Sequence, residues 1–158
     1  MFDDDFENEA FENIEGCRKF TAASKNNNFK EISQAKLKSQ MYSVISKYTG
    51  LYNDNAWQAI NKLVKDLQGI LPDITIIDSK YEHDEFGNPN GKRWWYCGII
   101  TEKGKPRVVV IELCASGAGS VKNPLDKYDI TALVNVLAPS KIKDPDIRDY
   151  INQYGLEE

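Results

Sequence analysis

The chain lacks any long apolar stretch. Its longest wholly aliphatic run is Val108–Ile111, whereas a helix that crosses a bilayer needs about 20 apolar residues. The first residues are acidic and show neither the basic nor the apolar region of a secretory signal. We therefore expect a cytoplasmic protein that does not bind a membrane.

Cysteine and histidine are scarce. Cys17, Cys97 and Cys114 are widely spaced and form no Cys-x-x-Cys or Cys/His pattern of the kind that binds metal. Cys97 and Cys114 fall in predicted strands, where a free thiol usually behaves as a small buried apolar side chain. The single histidine, His83, has no motif-placed Ser or Cys with which to form a catalytic triad. The sequence therefore predicts no metal and no cofactor.

Nucleotide-binding and calcium-binding motifs are also missing. The loop Ala115–Asn123 contains glycines but matches neither GxxxxGK[ST] nor GxGxxG, which favours a plain surface loop. The carboxylates around His83 are not spaced as in a calcium-binding EF-hand loop, so we interpret them as a solvated hairpin end. They are Asp78, Glu82, Asp84 and Glu85.

What the sequence does have is an uneven distribution of charge. Residues 1–16 contain seven acids and no base, and all 20 Lys and Arg residues come later, so the net charge of −4 divides into about −7 and +3. Phe2, Phe6 and Phe11 lie among these acids, and a polar stretch follows them to Asn28. We therefore predict an acidic, aromatic head with a linker over residues 1–28, disordered or folding on binding, and a single α+β domain over residues 29–158.

Two helices are predicted to open that domain as an αα-hairpin. Apolar spacing indicates a first helix from Phe29 to Thr49 and a second from about Asp54 to Gln68, with Asn53 or Asp54 as its N-cap. A C-terminal helix is also indicated, because Asp144 and Pro145 form a typical helix start. All three helices have one apolar face that must be buried.

A three- to four-stranded antiparallel sheet is predicted between the hairpin and the last helix. Strands are indicated at Ile74 to His83, Lys92 to Thr101 and Arg107 to Cys114. The segment Ile130 to Leu137 is compatible with a helix, but its β-branched residues favour a fourth strand. The predicted fold is α+β, with helices packed on one face of the sheet.

A basic and aromatic stretch is the first candidate site. Cations beside exposed aromatic rings are how proteins hold single-stranded nucleic acid. Strand alternation places Arg93, Trp95 and Cys97 on one face and the neighbouring aromatics on the other. Burial of one tryptophan in the core is the alternative. The candidate nucleic-acid-binding residues are Lys92, Arg93, Trp94, Trp95, Tyr96, Lys103, Lys105 and Arg107.

Glu112 is the second candidate, because it lies in an otherwise apolar strand. It faces solvent on a half-exposed sheet, or it pairs with Lys127, Arg93 or Arg107. As a general base or metal ligand, with His83 as an accessory group, it is the candidate catalytic residue.

Three functions compete at this level. The first is a non-enzymatic regulatory protein, of the kind that phages and mobile elements encode, which inhibits a nucleic-acid-binding protein partner. Its acidic head occupies the basic surface with which that partner otherwise holds nucleic acid. Its candidate protein-binding residues are Phe2, Asp3, Asp4, Asp5, Phe6 and Phe11. The second is a single-stranded nucleic-acid-binding module whose acidic head masks its basic surface. The third is a small enzyme that uses Glu112.

Overall fold

The computed structural model describes residues 28–52, 56–117 and 127–156. They form three α-helices, six strands and one short 3-10 helix, Pro139–Lys141. The strands are β1 Lys30–Glu31, β2 Gly50–Tyr52, β3 Thr75–His83, β4 Pro89–Glu102, β5 Lys105–Gly117 and β6 Tyr128–Leu137. The helices are α1 Gln34–Ile45, α2 Ala56–Ile70 and α3 Pro145–Asn152.

The six strands form one mixed sheet around the long β4–β5–β6 meander. β4 pairs with β5 and β5 with β6, both antiparallel and over almost their whole length. On its other side β4 pairs with β3 antiparallel and, at Ile100 and Thr101, with β1 in parallel. β2 extends the opposite edge by pairing with residues 128–130 of β6. The meander therefore sets the register of every other strand.

Helices α1 and α2 cover the first face of the sheet. The hydroxyl of Ser33 accepts the backbone N–H of Lys36, and the carboxylate of Glu102 accepts that of Gln34, so donors at the start of α1 are satisfied from both sides. The apolar stripes of the two helices bury against alternate residues of β4, β5 and β6. The largest of the fully buried side chains in this core include Leu37, Met41, Ile60, Leu63, Leu67, Ile100, Ile111 and Leu113.

Helix α3 lies on the second face, which differs from the prediction that the helices share one face. Asp144 caps it by accepting the backbone N–H groups of Asp146 and Ile147. Its apolar residues pack with Cys97, Ile99 and Val108, which alternate with the residues of the first core. At this end of the meander, apolar side chains project from both faces of the sheet. The first two helices bury one face, and α3 buries the other.

The α+β fold, the αα-hairpin, the antiparallel strands and the C-terminal helix are confirmed. The segment Ile130 to Leu137 is a strand, as favoured. The start of the first helix at Phe29 was wrong, because Ser33 is the N-cap and Lys30–Glu31 pairs with β4 instead. The predicted N-caps Asn53 and Asp54 lie outside the described residues.

None of the helices in the described part of the chain is long and apolar enough to cross a membrane. Cys97 and Cys114 are free and buried, as expected. Cys17 and the predicted head and linker lie outside the described residues, apart from Asn28.

Candidate binding surface

Half of the second sheet face is exposed beside α3. In the described ranges, the cluster under α3 ends at Ile77, Cys97 and Val110, and three cross-strand rows continue beyond it. We call these rows the open face; they are Asp78–Trp95–Glu112–Leu133, Lys80–Arg93–Cys114–Thr131 and Glu82–Gly91–Ser116–Asp129.

Arg93 is the centre of the open face. Its Nε and Nη2 donate to the same Glu82 oxygen over 2.9 and 2.8 Å, and its Nη1 donates to Glu112. The hydrogen bond to Glu82, followed by that to Glu112, raises the pKa of Arg93 above its ordinary value. The guanidinium thus ties β3 to β5 across β4 and fixes both carboxylates, so the polar centre of this surface is ordered before any partner arrives.

A thiol and a hydroxyl lie beside this ion-pair network. The Sγ of Cys114 is 3.1 Å from the Oγ of Ser116 and 4.0 Å from a carboxylate oxygen of Glu82. Cys114 is only 6% exposed, so it packs beneath the longer side chains. We interpret it as a filler that supports Glu82 and Arg93.

The rest of the open face combines carboxylates with apolar side chains. Asp78 and Asp129 are exposed at its two sides, so four carboxylates stand against two cations and the formal net charge is −2. Leu133 is 49% exposed, and Trp95 is half-buried in the same row. The open face is therefore acidic, with a polar centre at Arg93 and apolar side chains at Trp95 and Leu133.

The predicted nucleic-acid-binding aromatics do not share one surface. Lys92, Trp94 and Tyr96 face α1 and α2, whereas Arg93 and Trp95 belong to the open face. Trp94 is 8% exposed and lies edge-on to Trp57 at 5.5 Å between ring centroids, so its ring offers little area to a base. Tyr96 packs against the same core, and this burial raises the pKa of its hydroxyl.

The predicted basic residues also divide between two ends of the β4–β5 ribbon. Arg107 pairs with Ile100, about 23 Å along β4 from Arg93 at the rise of a strand. Lys103 and Lys105 lie at the tight turn beyond it, where the carboxylate of Glu31 accepts the Lys103 backbone N–H. The side-chain hydrogen bond from Thr101 is the main cause that lowers the pKa of Glu31.

The structure does not bring the two catalytic candidates together. Of the three partners considered for Glu112, Arg93 is the one that binds it. His83 pairs with Pro89 and Glu112 with Trp95, a separation of about 20 Å along β4. Within residues 28–52, 56–117 and 127–156, no group of three His, Cys, Asp or Glu side chains is arranged to hold a metal ion.

Several residues of this surface were not singled out by sequence reasoning. Glu82 was treated only as part of a hairpin end, and its role with Arg93 depends on the Asp84–Asn88 turn, where Asp84 accepts the backbone N–H groups of Phe86 and Asn88. The position of Leu133 on the exposed side of β6 could have been predicted from strand alternation, once that segment is assigned as a strand. The predicted protein-binding residues Phe2, Asp3, Asp4, Asp5, Phe6 and Phe11 lie outside the described residues.

Comparisons with family models, curated proteins and solved structures found no match for this chain. The functional argument therefore rests on the geometry of the open face.

Proposed function

We propose that the protein is a non-enzymatic binding protein that acts by contact with a protein partner bearing a basic surface. The observation that carries this proposal is the open face, where an ordered network of Glu82, Arg93 and Glu112 lies beside exposed apolar area. Such a protein works as a regulator or inhibitor by occupying the surface that its partner needs, and we expect it to do so in the cytoplasm.

The shape of the surface supports a macromolecular partner. Small-molecule sites are concave and enclose most of their ligand. The open face spans β3, β4, β5 and β6 as one side of a sheet, and a protein interface needs a broad surface of this kind, with apolar anchors inside a polar rim. Trp95 and Leu133 would be the anchors.

The charge of the surface supports a basic partner. The open face has a formal net charge of −2, and the groove of about 330 Å³ between β3 and α3 beside it is bordered by Asp146 and Asp149. The head adds about −7 at residues 1–16. Charges of one sign on two parts of the chain steer a partner of opposite charge and raise its association rate.

We expect Leu133→Lys to reduce partner binding by at least about tenfold, because it replaces an apolar anchor by a cation that repels a basic surface. Phe86→Lys is the matched control. Phe86 is 68% exposed in the turn between β3 and β4 and belongs to none of the three rows of the open face, so Phe86→Lys makes the same change of charge outside them. The measurement is quantitative affinity capture from cells that express the protein, with wild type and both variants as bait.

The test depends on comparing capture by the Phe86→Lys control with the loss of capture by Leu133→Lys. A basic protein that is retained by wild type and Phe86→Lys but lost with Leu133→Lys supports the proposal, and deletion of residues 1–16 should weaken the same capture without lowering the melting temperature. Equal capture by the two lysine variants would place the contact elsewhere and refute the open face as the interface.

A second candidate is single-stranded nucleic-acid binding, favoured by the position of Lys92. Its Nζ lies 4.6 Å from the centroid of Tyr81, a ring that is 57% exposed. If a base stacks there, fluorescent single-stranded DNA or RNA should bind with an affinity that falls as salt rises. Binding should strengthen without residues 1–16 and weaken in Tyr81→Ala. An affinity that does not change with salt concentration would refute nucleic-acid binding.

A further inference from the structure

Strand β6 forms an edge of the sheet for most of its length. One side of β6 is paired with β5 from Tyr128 to Leu137. The other side is paired with β2 only at residues 128–130. In the part of the chain that the structure describes, residues 131–137 therefore have a strand on one side alone.

The backbone groups of this edge are oriented for another strand. The Val134 N–H donates to the hydroxyl of Tyr42 over 2.8 Å, so it points away from β5. Because backbone groups alternate in direction along a strand, those of Ala132 and Val136 point the same way. Tyr42 is 36% exposed, and its side chain rotates aside when a strand arrives.

Apart from the Tyr42 hydroxyl, the described residues give this edge none of the usual protection. Natural edge strands are blunted by charged residues, proline or bulges. Residues 131–137 contain no charge, no proline and no glycine, whereas β3 at the other side of the sheet has Asp78, Lys80 and Glu82. Leu133 and Leu137 are 49% and 36% exposed. The β6 edge is therefore an apolar pairing surface.

The order of residues on this edge points to a second copy of the chain as its occupant. Residues 133–137 read Leu-Val-Asn-Val-Leu, which is the same in both directions about Asn135. Antiparallel pairing about a two-fold axis at Asn135 places Leu against Leu, Val against Val and Asn against Asn. Val134 and Val136, whose backbone N–H groups point away from β5, then fall in hydrogen-bonded pairs.

We propose that two copies of the protein associate through β6 in this register and form one continuous sheet. Such a contact is isologous, since the same surface serves both copies. In each copy the hydrogen bond from Val134 to Tyr42 is replaced by one to the other β6. The two open faces lie on the same side of the joined sheet, because a two-fold axis normal to the sheet keeps its faces unchanged.

Cysteine cross-linking tests the register. Asn135 meets its own copy in a non-hydrogen-bonded pair, where Cβ atoms are about 4.5–5.5 Å apart and approach disulfide geometry. In a Cys17→Ser background, Asn135→Cys should form a disulfide-linked dimer under mild oxidation. Asp129→Cys is the matched control: it is also exposed on β6 and pairs with Ser116, not with a thiol, but its two copies would be about 40 Å apart. Equal linking of both variants would overturn the proposal.

Insertion of a charge tests the association without a covalent cross-link. Asn135→Lys places two like charges opposite each other on the axis, and we expect the dissociation constant of the dimer to rise about tenfold in sedimentation experiments. Thr131→Lys should leave it within about twofold, since that position is off the axis. A wild-type chain that sediments as a monomer at about 100 μM, above the weak-micromolar range, would overturn the proposal.

Two further outcomes would assign the edge to another occupant. If Cys17 is retained and Asn135→Cys yields a monomer with an internal disulfide, the N-terminal segment of the same chain covers the edge. If the protein remains monomeric and Asn135→Lys abolishes capture of a protein partner, a foreign strand takes the place. Either result excludes the homodimer.

Discussion

Replacing Gly91 by alanine is expected to lower the free energy of unfolding by about 1–3 kcal/mol, the range of a forced overpacking. A Cβ at this position would lie 2.6 Å from the backbone carbonyl oxygen of Ala115. That oxygen belongs to the middle of the sheet, so β4 and β5 would have to separate. Urea denaturation followed by tryptophan fluorescence measures the loss.

Gly69→Ala is the matched control for this substitution. Gly69 lies in the last turn of α2, and an added Cβ would meet nothing within 4 Å. Because alanine favours a helix over glycine, this variant should be more stable by about 0.5–1 kcal/mol. A Gly91→Ala protein as stable as wild type would mean that the two strands are not as close as described.

Stability is expected to fall steeply between pH 9 and 12 because of Cys97. This thiol is fully buried, and burial raises its pKa from 9.0 to about 12. Below pH 9 the thiol is protonated in both states and its full contribution is present. Above pH 9 the unfolded state releases the proton and the folded state keeps it, so stability falls by about 1.4 kcal/mol per pH unit, up to about 4 kcal/mol near pH 12.

Cys97→Ala isolates this contribution. Burial also raises the pKa values of Tyr96 and Tyr150, but both tyrosines are present in wild type and variant alike. Urea denaturation under reducing conditions at pH 7.5, 8.5, 9.5 and 10.5 should show a stability advantage of wild type that shrinks as pH rises. Parallel curves for the two proteins would contradict a buried, protonated thiol.

The elements with strong local signals were predictable from the sequence. α3 has a capping Asp144, a proline and an apolar stripe, all within twelve residues. The Lys103–Gly104 turn is of the same kind, since both residues have positive φ and such turns favour glycine. Information of this sort lies inside the element and does not depend on the rest of the fold.

Features that depend on distant pairings were not predictable. β1 is only two residues long and is a strand because Lys30 pairs with Ile100 of β4. β2 is a strand because Gly50 pairs with Ile130 of β6. The side on which α3 packs depends on which alternate residues of β4 and β5 the first two helices have already buried. Short strands of this kind have no pattern of their own that a sequence can show.

The candidate site also combines features that local sequence predicts with features that depend on distant pairings. The alternation of Arg93 and Trp95 was correctly derived from the period of a strand. The ion pairs of Arg93 with Glu82 and Glu112 needed the register of three strands, which the β3–β4 bulges shift at two places. Tyr42, which meets Val134 across 92 residues of sequence, had no signal beyond its place on an amphipathic helix.

The order of elements along the chain has a consequence for biosynthesis. α1 and α2 leave the ribosome before any strand of the meander that covers them. Between Leu67 and the end of β6 lie another 70 residues, which take several seconds to synthesise at about 5–20 residues per second. During that time the apolar stripes of both helices have no sheet to bury against. Nascent chains of this protein should therefore be clients of ribosome-associated chaperones until β6 is complete.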